Sequence, residues 1–491
     1  MAGLIRPAMP SKQLPPAAIA VFIGLLVYGL LLVAGPKLLN DPDTQWQIVL
    51  GNWMLSERAV PRTDAFSFTK RGEPWISSQW LAQVLFALAH RWFGWLGVIA
   101  LTGLACAAAF ALQARFLLQR LALLPAVAAT LIAILIAAPH ITARPHVLAF
   151  PLMVAWFAGL WRANEEGRAP PWWLLIVVVL WANVHGGFTL AFVLLAGIAL
   201  DAIVSAESTD RLKVALRWAL FGVASVAAAC ATPYGSESLL VTYRILGMGD
   251  ALRLISEWRP FDFATFSFFE AVLLAVVAGG LMAGVKLPPV RVLIVLGLLH
   301  LALSANRNTE TFALLAPMAI ALPLGREIAR WRPEPDTKLS ETIEIAAFVM
   351  VIAITALASL GTYAPPVNAS PQRAIVALKL ANAKRVFNDY DFGGAMIAAG
   401  IPTFIDGRTE LFGRDFMLQH HRATELQDLS GFLSLLERYE IEATLLRPSS
   451  PAAQFLDRMT EWKRIYADDT AVVHARSANE APSRMTEMIR R

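Results

Sequence analysis

The feature that most limits how this chain can fold is the recurrence of long apolar runs along its first 360 residues. A bilayer core about 30 Å thick is crossed by about 20 mostly apolar helical residues. About eleven runs approach that length. They are Ala17 to Gly35, a segment within Trp80 to Leu112, Leu121 to Ala138, His146 to Trp161, Trp172 to Asn183, Phe188 to Ala206, Val214 to Ala231, Phe266 to Val285, Val290 to Ser304, Thr311 to Leu324 and Ile343 to Leu360. His90 and Arg91 interrupt the second, which predicts an interfacial or re-entrant helix before the true span. Of the 491 residues, 57% are hydrophobic and 16% charged, far from the composition of a soluble domain. The mean hydropathy is +0.54. The expectation is an all-α polytopic membrane bundle.

The charged residues fix an expected orientation. With the N-terminus in the cytoplasm, Arg6 and Lys12 lie inside, as do Arg115 and Arg120, Arg162 and Arg168, Arg211 and Lys213, and Lys286 and Arg291. Arg326, Arg330, Arg332 and Lys338 form the most basic of these loops. The first run has a basic flank but no clear small-x-small cleavage site, so it reads as a span and not a signal peptide. The 42 basic and 37 acidic residues are too balanced for a nucleic-acid partner. Cys106 and Cys230 both lie in apolar stretches and suggest neither a disulfide framework nor a metal site.

Under this orientation the polar motifs collect on the exoplasmic side. The loop 37–79 contains Asp41-Pro-Asp43-Thr-Gln-Trp46, then an amphipathic stretch, Ile48 to Leu55, and Arg62-Thr63-Asp64. Two carboxylates two residues apart either share a divalent cation or divide into a general base and an orienting group. A plainer role for Asp41 is capping a short helix. Between the third and fourth runs stands Pro139-His140-Ile-Thr-Ala-Arg144-Pro-His146. An Arg at a membrane surface offers paired donors to phosphate, or it snorkels to lipid headgroups. Trp181-Ala-Asn183-Val-His185-Gly-Gly ends a short span, where Asn and His serve a ligand or bond between helices. A zinc site built from His140, His146 and His185 has no diagnostic spacing behind it. Tyr234 opens a loop of about thirty residues that runs to Glu257-Trp-Arg259. Asn306-Arg307-Asn308 lies between two later spans. Together these loops line one expected cavity.

The Asp41-Pro-Asp43-Thr-x-Trp46 segment, Arg144-Pro-His146, Trp181-Ala-Asn-x-His185-Gly-Gly and Asn306-Arg307-Asn308 resemble the GT-C superfamily of membrane glycosyltransferases, among them the Rgt-type and mannosyltransferase-like enzymes. The resemblance covers nearly the whole chain. It implies a many-span helical fold with an active cavity facing the periplasm of a bacterial inner membrane. It also implies a polyprenyl-phosphate-sugar donor and a periplasmic acceptor: a lipid, a glycan or a protein. The essential acidic residue of the first exoplasmic loop carries over to Asp41 or Asp43, with Asp41 favoured as base and Asp43 as orienter or metal ligand. Arg144, His146, Arg259 and Arg307 become the candidates for the donor phosphate. Trp46, His140, Asn183, His185, Tyr234, Glu257 and Asn306 would line the substrate cavity. The second acidic motif of several relatives is matched here only by Glu257. A transporter or flippase of lipid-linked glycan and a non-catalytic scaffold of the cell envelope are the alternative readings; no internal repeat and no midplane charge favour transport.

The membrane part is expected over 1–362. A small exported α/β domain follows over 363–476, and a polar tail over 477–491. Expected elements are a helix at Arg373 to Ala383, strands at Arg385 to Phe387 and Thr403 to Ile405, helices at Ala395 to Ala399 and Leu429 to Tyr439, and strands at Ala443 to Leu446, Arg464 to Tyr466 and Ala471 to His474. The strings Asn388-Asp-Tyr-Asp-Phe-Gly-Gly394 and Ile405-Asp-Gly-Arg408 read first as turns, with acceptor binding as a second use.

Overall fold

The computed structural model describes residues 15–328, 339–366 and 370–477. Arg6, Lys12, Arg330, Arg332, Lys338 and nearly all of the expected tail lie outside the described residues.

Among the described residues seven helices are long and apolar enough to cross a membrane: Pro16–Val33, Trp80–Leu118, Leu123–His140, Pro145–Glu165, Gly186–Ser205, Arg211–Ala229 and Glu341–Ala358. Leu174–Val184, Phe268–Ala283 and Pro289–Ser304 are apolar but shorter. Helix Thr309–Ile328 covers the expected run at Thr311 to Leu324. The chain is therefore a helical membrane-type bundle with a small C-terminal sheet. The Trp80–Leu118 helix breaks at Gly94, whose φ of 57° suits a residue without a Cβ. The break separates an outer segment ending in exposed Trp92 and Phe93 from the apolar segment beyond it.

Lipid offers no hydrophobic drive between helices, so close packing relies on small residues and satisfied polar groups. Gly24 lies against Ala107 and Ala111, and Gly103 against Tyr28, which brings the first helix onto the Trp80–Leu118 helix. Helix Thr309–Ile328 carries Pro317 and Pro323 in its interior. Each proline lacks the N–H that the carbonyl four residues earlier needs. Gln113 Nε2 donates to the carbonyl of Ala313 at 2.8 Å, and Arg291 Nη1 donates to that of Ala319 at 3.0 Å. Both orphaned carbonyls thus find side chains from neighbouring helices.

The C-terminal part forms a four-stranded sheet from β1 (Val386–Asn388), β2 (Ala443–Leu446), β3 (Trp462–Ala467) and β4 (Val472–Arg476). The strand order is β1-β2-β4-β3, with β1 and β2 parallel and the other pairs antiparallel. Helices Gln372–Leu380, Gly393–Ala398 and Leu429–Arg438 fall where the sequence places helices. The expected strand at Thr403 to Ile405 is not one: Thr403 makes a single parallel bridge, to Ser67 of the first loop. The reason is that its partner is not in the sheet at all. Helices Thr409–Thr424 and Pro451–Leu456 were not foreseen, and the first of these is interrupted at Gly413, with φ 74°.

One hydrophobic core joins parts that are far apart in sequence. Trp46, Leu50, Met54 and Trp75 of the first loop and Ala251 and Leu252 of a later loop pack with Phe387, Phe404, Phe412 and Phe432. Helix Thr44–Glu57 is not the one-sided amphipathic element expected: Trp46, Leu50 and Met54 enter this core, Ile48 packs into the core of the bundle, and Gln45 and Gln47 are buried as well. A buried ion cluster pins the same junction. Arg408 binds Asp64 through Nη1 and Asp406 through Nη2 at 2.7 Å and Nε at 2.8 Å. Its guanidinium lies 5.0 Å from the ring centre of Trp75. The loop 37–79 and the C-terminal sheet are one folded unit.

Candidate active site

One backbone bond and one from a threonine hydroxyl zip two loops together. Ala143 N donates to Leu38 O at 2.7 Å, and Thr44 Oγ1 donates to Ala143 O at 3.1 Å. Asp41 and Asp43 follow Leu38, while Arg144 precedes Pro145, whose fixed φ starts helix Pro145–Glu165. The zipper therefore sets Arg144 against both aspartates.

Arg144 is the centre of the arrangement. Its Nε lies 3.3 Å from Asp41 Oδ2, its Nη2 binds Asp43 Oδ2, and its Nη1 binds Glu257 Oε2. Glu257 sits in the short turn Ser256–Trp258 and uses its other oxygen, Oε1, on Arg307 Nη1 at 3.2 Å. Arg307 stacks over the Trp258 ring at 4.8 Å. Two backbone bonds hold these later loops in register: Asn306 N to Arg259 O at 2.9 Å and Phe261 N to Leu303 O at 2.9 Å. Three carboxylates and two guanidiniums thus alternate along one chain of contacts drawn from four loops.

The aspartates are not equivalent. Asp41 Oδ1 accepts from the backbone N–H of Asp43 at 2.8 Å, a local turn before helix Thr44–Glu57, whose N-cap is Asp43 and not the Asp41 that the sequence suggested. Its Oδ2 accepts from Thr142 Oγ1 at 3.2 Å and faces Arg144. Asp43 Oδ1 accepts from the Trp46 indole at 3.0 Å. Burial pushes the Asp41 carboxyl up to about 7, against the pull of Arg144 and with the help of the nearby Asp43 and Glu257 charges. Burial also raises Asp43, opposed by Arg144 and by the Trp46 hydrogen bond. For Glu257 burial acts upward, yet the two arginines outweigh it and hold the carboxyl below its ordinary range.

A second polar group lies beside the first. His146 Nε2 is 3.6 Å from Glu310 Oε1, and the His146 and His185 rings are 6.2 Å apart. His185 Nδ1 accepts from the Gly187 N–H at 3.1 Å, which leaves its proton on Nε2. His140 lies within electrostatic reach of Glu257.

Three expected residues are used elsewhere by their hydrogen bonds. Asn183 accepts from the Trp80 indole at 2.7 Å and donates to the carbonyls of Val179 and Ala231, so it ties helices together. The Tyr234 hydroxyl donates to Pro61 O at 3.0 Å and accepts from Ser77 N at 3.2 Å. Arg259 Nε donates to Arg253 O at 3.1 Å on an exposed surface. Asn306 serves through its backbone.

The C-terminal unit supplies residues that motif reading missed. A Cβ on Gly394 would overlap Pro42 O, and one on Gly407 would overlap the Asp43 carboxylate. The two strings that read as turns are thus the contact surface that closes over Asp41-Pro-Asp43. Tyr390 hydrogen-bonds Thr409 at 3.0 Å and stands within the field of Asp43 and Arg144; burial first, then Asp43, raises its hydroxyl. The Gly393-Gly394 pair a few residues beyond β1 and the single Gly407 after an apolar run were the available signals.

Among the described residues no group of three or more His, Cys, Asp and Glu side chains is arranged to hold a metal. Asp41 and Asp43 are arranged around a guanidinium, and a divalent cation would have to displace it. No protein-family model and no curated protein matches this chain.

Proposed function

We propose that this chain is a membrane glycosyltransferase of GT-C type. It would move a hexosyl or pentosyl unit from a polyprenyl-phosphate donor to a periplasmic acceptor. Its place would be the bacterial inner membrane, with all eleven apolar helices as spans, the N-terminus cytoplasmic and the C-terminal unit periplasmic. The observation that carries the reading is the Arg144 cluster at one end of the bundle, where burial pushes the Asp41 carboxyl up to about 7. A general base works best when its pKa lies near the operating pH.

In this reading Asp41 takes the proton of the acceptor hydroxyl as that oxygen attacks the anomeric carbon. The bond from that carbon to the donor phosphate breaks, and the polyprenyl phosphate leaves with the electron pair. Asp43 and Thr142 orient Arg144 and Asp41. Arg144 is already committed to three carboxylates, so Arg307, with a single carboxylate partner, is the better holder of the departing phosphate. His146 and His185 stand nearby to donate to the same oxygens. Arg259 has no such place.

Membranes containing the wild-type chain, given a radiolabelled polyprenyl-phosphate sugar, should form a new glycosidic bond. Asp41→Asn and Asp43→Asn should abolish it at unchanged membrane abundance. Full activity in both variants sinks the mechanism. Movement of lipid-linked glycan across vesicles with no new bond would replace it by transport.

A further inference from the structure

Glu310 is a buried carboxylate beside the Arg144 cluster that the proposed mechanism leaves unused. It is the second residue of helix Thr309–Ile328, three positions after Arg307, and only 2% of it is exposed. Its Oε1 is sealed from solvent and accepts no hydrogen bond. His146 Nε2 lies 3.6 Å from that oxygen, within reach of an ion pair but too far for a hydrogen bond. His146 is likewise the second residue of its helix, Pro145–Glu165. Two helix starts thus bring an orphaned carboxylate oxygen against an imidazole. Arg307, Glu257 and Arg144 all act on Glu310 electrostatically, so the pair belongs to the same charged centre.

A neutral imidazole carries one N–H, and the partner of one ring nitrogen decides what the other can do. In His185 the Gly187 N–H occupies Nδ1, which leaves the proton on Nε2. For His146 the group in that place is Glu310. A buried acceptor with no donor is costly, and a proton shared with His146 satisfies Oε1. When the pair holds two protons, one bridges Oε1 and Nε2 and the other sits on Nδ1. That is so whether the bridging proton rests on oxygen or on nitrogen.

We propose that Glu310 is a positioning residue that acts through His146: it holds a proton between Oε1 and Nε2, so that Nδ1–H donates to the phosphate of the polyprenyl-phosphate donor and of the lipid phosphate that leaves. The inference rests on the polyprenyl-phosphate part of the proposed function. Both protons stay on the pair, because Nδ1–H donates a hydrogen bond and no bond to hydrogen breaks. Oε1 and Nε2 close to hydrogen-bond distance as the phosphate seats, as such pairs commonly do when a site fills.

The test uses the full chain in detergent, with binding of farnesyl phosphate and of farnesol followed by native mass spectrometry and folding by thermal unfolding. Wild-type protein should bind farnesyl phosphate in preference to farnesol. Glu310→Leu and His146→Ala should each weaken farnesyl phosphate binding roughly tenfold, the worth of a hydrogen bond to a charged group, and leave farnesol unchanged. The double variant should bind no more weakly than His146→Ala alone, since Glu310 acts only through that ring. Glu310→Gln should restore binding to within about twofold, because its amide also bonds Nε2 and leaves a proton on Nδ1. Additive losses, a glutamine variant as weak as the leucine one, or an equal loss of farnesol would overturn the inference and leave Glu310 a structural group. Failure of the wild-type chain to bind farnesyl phosphate overturns it too. The expected binding pattern without sugar transfer in membranes would sink glycosyl transfer alone.

Discussion

Gly407 lies so close against the carboxylate of Asp43 that a Cβ there would overlap it. One residue belongs to the C-terminal unit and the other to the first loop, 364 positions earlier. Asp43 cannot step aside easily, because Trp46 holds one of its oxygens and Arg144 the other. The C-terminal unit is therefore part of the site's wall.

Gly407→Ala should disturb the site while leaving the bundle intact. A shift of about 1 Å in a reacting group costs on the order of a hundredfold in rate. We expect transfer activity to fall by about that factor at unchanged membrane abundance. Protease cleavage between the bundle and the sheet should accelerate. Wild-type activity in this variant would mean that the C-terminal unit does not shape the site.

Arg408 should carry the attachment of that unit. Its side chain and those of Asp64 and Asp406 are sealed from solvent. Removing one partner of such a cluster costs about 3–5 kcal/mol, because a charge is left buried alone. Arg408→Met should lower the unfolding temperature of the C-terminal unit and free the loop 37–79 to proteases. Burial raises the Asp64 carboxyl, but Arg408 and the bonds from Ser67 and Phe66 bring it below its ordinary 3.8. A depressed carboxyl gives stability that is present above its unfolded value and lost as pH falls through the folded one. The junction should therefore open in acid, below about pH 4, and Asp64→Asn should remove that pH step.

The bundle was legible in the sequence because apolar runs and helix length are local properties. Ten of the runs map onto one helix each, and the eleventh, after His90 and Arg91, lies beyond the break at Gly94. The Asp41, Asp43, Arg144, Glu257 and Arg307 set was also visible as charge where charge is scarce. What sequence spacing does not carry is which charges meet. Asp64 and Arg408 are 344 residues apart, and neither is in a motif with recognisable chemistry. Thr403 was misread for the same reason: an apolar run beside a glycine looks like a strand, but its hydrogen bonds go to Phe66 and Phe68.

Asp41 gives the expected pH profile. A carboxyl raised to about 7 is neutral below that pH and becomes a base above it. Activity should therefore rise with pH, with its midpoint near 7. Glu257→Gln removes a negative charge that helps raise Asp41, so the rising limb should move to lower pH in whatever activity remains. The stability sign is opposite. A raised carboxyl binds its proton more tightly in the folded state, so its contribution is full below about pH 4 and is lost as pH climbs to about 7. Asp41→Asn should flatten that loss in thermal unfolding across the same window. A pH–rate profile with no limb between pH 5 and 8 would remove Asp41 from the base role.

Pro317 and Gln113 should be energetically coupled. Pro317 provides no N–H for the carbonyl of Ala313, and Gln113 Nε2 fills that place at 2.8 Å. Gln113→Leu leaves a buried carbonyl without a donor, at a cost of about 1–3 kcal/mol. Pro317→Ala restores a backbone N–H that can reach Ala313 O, so the same Gln113→Leu change should cost less in that background. Thermal unfolding of the four proteins in one detergent measures the coupling. Strictly additive effects would mean that the bond from Gln113 does not substitute for the missing helix bond. A positive coupling would account for how a helix with two internal prolines stays continuous, since Arg291 and Ala319 repeat the arrangement at Pro323.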